Sequence, residues 1–121
     1  AIYSDDTFGT ATIKEFLDNG YLMDPHTATC IKAYKELKAK PLKTVIYSTA
    51  EWTKFSPTVL NALKENNTKY SDKEALEEIS SKYNATLPQS IKELFSAKIN
   101  HSLVIDKENI EQEIVKFIRE S

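Results

Sequence analysis

A helix-rich α/β fold, with about six helices and two short parallel strands, is what this sequence predicts. Three observations carry that expectation. Apolar residues recur at helical spacing behind capping residues along most of the 121 residues. Two short uncharged runs rich in β-branched residues, Thr44 to Thr49 and Ser102 to Ile105, interrupt that rhythm. The helical stretch between those runs suits a right-handed crossover, which lays the two strands parallel. A single domain of this length buries roughly two thirds of the surface its unfolded chain exposes, so a core forms without disulfides or metals.

The first helix runs from Ser4 to Gly20, with Ser4 as its cap, Asp5 and Asp6 in the first turn, and Ile13, Phe16 and Leu17 facing inward. Gly20 ends it as a left-handed residue. The second begins at Asp24-Pro25, where the carboxylate takes an orphan N–H and proline at the first helical position loses none. Its buried stripe is Ile31, Tyr34 and Leu37, with Cys30 a small buried residue beside it, and Lys38, Lys40 and Pro41 close it. Thr44 to Thr49 follows as a strand covered on both faces. Ser56-Pro57 starts a third helix, carrying Val59, Leu60 and Leu63. After a polar loop from Glu65 to Tyr70, Ser71 and Glu74 form a capping box for a fourth helix with Leu76, Ile79 and Tyr83 inside. Leu87-Pro88 opens a fifth, with Ile91, Leu94 and Phe95 inward. Ser102 to Ile105 is the second strand, and Asp106 caps a last helix whose Ile110, Ile114, Phe117 and Ile118 share a face. Two parallel strands leave two bare edges, which invite self-association.

The bulk chemistry excludes several function classes. Sixteen basic and eighteen acidic residues give a net charge of −2, interspersed rather than blocked, so neither nucleic acid nor an anionic membrane is an expected partner. No apolar run has the length of a membrane span, and Ala1 opens onto polar sequence rather than a signal peptide. With Cys30 as the single cysteine, the expected location is the cytoplasm. Two glycines, Gly9 and Gly20, lie too far apart to form a loop that cradles a phosphate with its backbone. His26 and Cys30 stand one turn apart, yet a structural zinc site needs four ligands and the other histidine, His101, is remote in sequence; no metal is expected.

Taken alone, Asp24-Pro25-His26-Thr27 reads as an ordinary helix start, and Thr49 as a hydroxyl at a strand end, where ligands gather in open α/β sheets. In context they say more. The string Asp24-Pro25-His26-Thr27-Ala28, preceded by Gly20-Tyr21-Leu22 and followed by Tyr47-Ser48-Thr49-Ala50 and Lys54-Phe55, resembles the C-terminal part of the threonine synthases, which are pyridoxal-phosphate enzymes. The resemblance is densest from Ser4 to Phe55 and resumes more weakly at Leu87-Pro88-Gln89-Ser90-Ile91, leaving 64–86 as a variable helical insert. It implies that residues 1–121 form one segment, the C-terminal portion of the large domain of a fold type II pyridoxal-phosphate enzyme.

The same resemblance implies a set of roles. Thr49 would bind the cofactor by hydrogen-bonding its ring nitrogen, and His26, Thr27, Ser48, Ala50 and Lys54 would line the active-site wall. No catalytic residue falls within the chain. The Schiff-base lysine and the phosphate-binding loop belong to the N-terminal remainder of the enzyme, which is thus an expected partner. The intact enzyme would convert O-phospho-L-homoserine and water to L-threonine and phosphate; the segment alone would be inactive and would not retain pyridoxal phosphate. Glu51-Trp52 stands where the family commonly has His-Pro, so nothing assigned to that histidine carries over, and Trp52 is open as a lid, a surface residue or a subunit contact. Two other readings stay open: a free-standing helical interaction module built on Trp52 and Phe55, and a non-catalytic homologue.

Overall fold

The computed structural model of the chain describes residues 2–38 and 43–120. Helix α1 spans Asp6–Asp18. Asp5 rather than Ser4 caps it, accepting from the Phe8 N–H at 2.8 Å, because a carboxylate also meets the positive end of the helix dipole. At its other end Tyr21 N–H bonds the Phe16 carbonyl and Gly20 N–H the Leu17 carbonyl. This Schellman pair needs a left-handed residue between them, and Gly20 supplies it at φ +84°. The chain is thereby turned into α2, Pro25–Leu37. The expected closure of α2 at Lys40 and Pro41 lies outside the described residues.

A 3-10 turn, Trp52–Phe55, leads directly into α3, Ser56–Lys64. The connection from α3 to α4, Asp72–Lys82, is clamped by Asn61, whose side chain both donates to the Thr68 carbonyl and accepts from its N–H. The Ser71–Glu74 capping box is present at the start of α4. The expected fifth and sixth helices are α5, Gln89–Leu94, and α6, Ile110–Glu120, the latter entered through a 3-10 turn at Lys107–Asn109.

The principal packings join α1 to α2, α1 to α3 and α3 to α4. Ile13, Ala28 and Ile31, Val59, Leu60, Ala62 and Leu63, and Ala75, Leu76 and Ile79 meet there, joined by Met23 and by Trp52 from the 3-10 turn. Residues 64–86 contribute to this core through α4. Cys30, expected to be buried, is exposed, because it falls off the stripe of Thr27, Ala28 and Ile31. Burial also fades along α2, leaving Leu37 69 % exposed.

The predicted α/β class is not what forms. Among the described residues the chain is helical with no strand and no sheet, and neither Thr44–Thr49 nor Ser102–Ile105 joins a β ladder. Val45 is 79 % and Val104 92 % exposed, where strands covered on both faces would be buried. β-branched composition favours a local extended chain, but a strand exists only when a neighbour takes its N–H and C=O groups, and the helical packing does not bring these two runs together. Without that sheet to rest on, Leu94 and Phe95 of the fifth helix, expected inward, are exposed, as are Ile110, Ile114, Phe117 and Ile118 of the sixth. No helix among the described residues is long and apolar enough to cross a membrane.

Candidate functional site

The start of α2 gathers most of the residues singled out from sequence. Asp24 is fully buried, and its carboxylate is the centre of the arrangement. Oδ1 accepts from the His26 N–H at 2.9 Å and the Thr27 N–H at 3.3 Å, which caps the helix. Oδ2 accepts from the Thr27 hydroxyl, and the Ser48 hydroxyl stands 3.5 Å from the same oxygen. Thr27 Oγ1 and Ser48 Oγ are 3.2 Å apart, and Ser48 also donates to the Ala50 carbonyl at 3.0 Å. A buried carboxylate is tolerable only when fully hydrogen-bonded. Here its donors come from two separate parts of the chain, so one charge fixes both the helix start and the segment around Ser48.

His26 stands on the outer side of this hub. Its Nδ1 lies 3.5 Å from Asp24 Oδ1, while about two thirds of the side chain is open to solvent. The ring meets Phe55 edge to face at a centroid distance of 4.7 Å, a favoured aromatic arrangement. The exposed Lys54 ammonium is 5.5 Å from the centre of the same Phe55 ring. Asp24 on one side and Phe55 on the other thus hold the imidazole, leaving Nε2 as the nitrogen on the far side of the ring from the carboxylate.

His26, Thr27, Ser48 and Ala50 are therefore linked in one constellation, with Lys54 attached through Phe55. Thr49 sits between two linked residues but is itself exposed, and no hydrogen bond engages its hydroxyl among the described residues. Trp52, left open between lid and contact, is buried against the helical core. Two participants were not singled out as site residues from sequence. Asp24 was legible only as a cap, because the sequence does not reveal that its second oxygen would take the hydroxyls of Thr27 and Ser48. Phe55 was read as part of a string and as a patch residue of the alternative interaction module, with nothing to announce its contact with His26.

Both glycines serve helices, Gly9 inside α1 and Gly20 at its end, so no phosphate cradle exists among the described residues. No cluster of potential metal ligands occurs among them either. What the site offers is a hydroxyl, an oriented imidazole, an ammonium and an aromatic edge. These are groups that bind and orient a polar ring or an anion.

No protein-family model matches the chain. Over 46 residues, 38% of this chain, it is 39% identical to Threonine synthase-like 1 of Homo sapiens. Over stretches of the same length it is 39% identical to the Pongo abelii protein and 37% identical to the Macaca fascicularis protein of that name. Over that stretch the chain is related to threonine synthase-like proteins. The matched stretch spans 6% of the length of these relatives.

Proposed function

We propose that the chain is the C-terminal part of a threonine synthase that works in the cytoplasm on O-phospho-L-homoserine, and that the hub at the start of α2 is one wall of its pyridoxal-phosphate site. The observation that carries this reading is the constellation itself. The residues of the two resemblance strings, Asp24 to Thr27 and Ser48 to Ala50, lie far apart in sequence and are joined through one buried carboxylate. The similarity to threonine synthase-like proteins supports it independently.

The residues fit the role. Pyridoxal phosphate, when bound, withdraws electrons from the substrate carbon attached to it. The exposed Thr49 hydroxyl would hold the ring nitrogen, and as a neutral donor it would not keep a proton there. His26 and Lys54 would present a cationic or hydrogen-bonding edge to a substrate phosphate or carboxylate. The cofactor's phosphate and its covalent anchor would be held by polypeptide other than these residues, since no glycine cradle occurs among those described.

Assaying phosphate release from O-phospho-L-homoserine by the full-length protein tests the reading. Turnover is expected with the intact protein, none with the 121-residue chain alone, and a loss of at least about tenfold for Thr49→Val, as for removal of a group that touches a reacting ring. A full-length protein that binds the cofactor but releases no phosphate would identify a non-catalytic homologue instead. The second reading, an interaction module, is favoured by the exposed apolar side chains of α5 and α6 rather than by Trp52, which is buried.

A further inference from the structure

The fully buried carboxylate of Asp24 has several hydrogen-bond donors but a single ionic partner among the described residues. Its backbone donors and the Thr27 hydroxyl are all neutral, and no lysine or arginine among those residues pairs with it. The titratable group that does approach is His26, whose Nδ1 lies 3.5 Å from Oδ1. In a neutral imidazole one nitrogen carries the proton and the other a lone pair, and what each nitrogen faces decides which is which. A lone pair on Nδ1 would confront the carboxylate oxygen. A proton there makes the same contact attractive, and because Asp24 is buried, water does little to screen it.

The ring is held where this contact can act. The His26 backbone N–H is tied to the same Asp24 oxygen at 2.9 Å, and the edge-to-face contact with Phe55 fixes the plane of the imidazole. The chain also supplies its own reference. His101 is exposed, and no ion pair, hydrogen bond or ring contact engages it among the described residues. Its tautomer is thus left to the intrinsic preference of the side chain, which in free histidine is the Nε2–H form.

We propose that Asp24 is a positioning residue for His26: it keeps the ring proton on Nδ1 and so presents Nε2 to the site as a lone pair, a hydrogen-bond acceptor. This gives the two polar groups that touch Phe55 different tasks. The Lys54 ammonium, 5.5 Å from the centre of that ring, can only donate, so it suits the phosphate or carboxylate of a substrate. Neutral His26 can only accept at Nε2, so what it meets is an O–H or N–H of bound substrate or water. The tautomer is a property of the chain alone, whereas what lies opposite Nε2 rests on the cofactor-site reading.

Long-range proton–nitrogen-15 NMR spectra of the 121-residue chain, at the alkaline limit where both rings are neutral, read the two tautomers, with His26→Gln assigning the signals. His26 is expected with Nδ1 at the shift of a protonated nitrogen and Nε2 at that of a bare one, and His101 with the reverse. Asp24→Asn keeps a capping oxygen, and its amide N–H groups can donate to the hydroxyls of Thr27 and Ser48. Circular dichroism should therefore be unchanged, while the neutral side chain attracts the Nδ1 proton less and His26 shifts toward the His101 pattern. A merely structural Asp24 would not move the tautomer. In the full-length protein Asp24→Asn should lower turnover at least about tenfold, and should add little to the loss already caused by His26→Gln, since both act through one ring. A native chain in which His26 matches His101 would overturn the proposal even if Asp24→Asn fails to fold, and so would additive losses from the two variants. The spectrum needs neither cofactor nor turnover, so an inactive full-length protein would count against the cofactor-site reading while the spectrum still decides the tautomer.

Discussion

Asp24 concentrates more structural consequence than any other side chain near the candidate site. It caps α2 with one oxygen and holds the Thr27 and Ser48 hydroxyls with the other, all while fully buried. Asp24→Ala therefore removes a cap, worth about 1 kcal/mol, and takes the carboxylate acceptor from the buried Thr27 hydroxyl, at about 1–3 kcal/mol, while the exposed Ser48 hydroxyl keeps the Ala50 carbonyl. The expected loss is about 2–4 kcal/mol by urea denaturation. Asp24→Ser can keep the cap but cannot reach both hydroxyls, so its cost should fall between those of Ala and the native residue. A Ser variant as stable as the native chain would show that the second oxygen contributes little, and equal losses for Ser and Ala would show the same of the cap. Thr49 should behave oppositely. Exposed and with its hydroxyl unengaged, it should tolerate Thr49→Val within about 0.5 kcal/mol, so any loss of turnover in the full-length variant is chemical rather than structural.

Among the elements, α4 shows how local sequence can decide a boundary. Ser71 accepts from the Glu74 N–H at 3.3 Å, while the Glu74 carboxylate takes the Ser71 N–H at 2.9 Å and its hydroxyl at 2.7 Å. Ser71→Ala should cost about 1 kcal/mol. The Ser71 backbone N–H, and then its hydroxyl, hold the Glu74 carboxyl below its ordinary 4.5. Lys82, and then Lys64, do the same for Glu78. A carboxyl depressed in the folded state stabilises fully above its unfolded value and loses that contribution as pH falls through the folded one. The melting temperature should thus decline as pH drops below about 4.5, the ordinary value for these groups, and Glu74→Gln, which can keep the box without the charge, should flatten that decline. Helix starts of this kind are legible because every determinant lies within four residues. The two β-branched runs were misread for the converse reason: Thr44–Thr49 and Ser102–Ile105 show extended preference locally, but pairing depends on distant chain. The site was legible to the same degree. Asp24-Pro25 announces a helix start, while the tie from Thr27 to Ser48 is tertiary and has no local signature.

At the scale of the whole molecule, burial is concentrated in α1 to α4, and the chain beyond Leu94 adds little to it. The last fully covered apolar side chain is Ile79, with Leu87 and Ile91 partly packed behind it, whereas Ile99, Leu103, Val104 and the α6 face are exposed. Stability follows apolar area removed from water, so the two parts should differ in opening free energy. Amides of α3 should exchange only through global unfolding, while those of α6 should exchange through local fraying. A chain ending at Ala97 should accordingly keep the four-helix core, with a melting temperature within about 5 °C of the full chain, the shift expected from losing about 1 kcal/mol in a domain of this size. A truncation that unfolds the core would mean that the C-terminal residues stabilise α1 to α4 through contacts far larger than their exposure implies. Retention of both fold and melting temperature would place stability in α1 to α4.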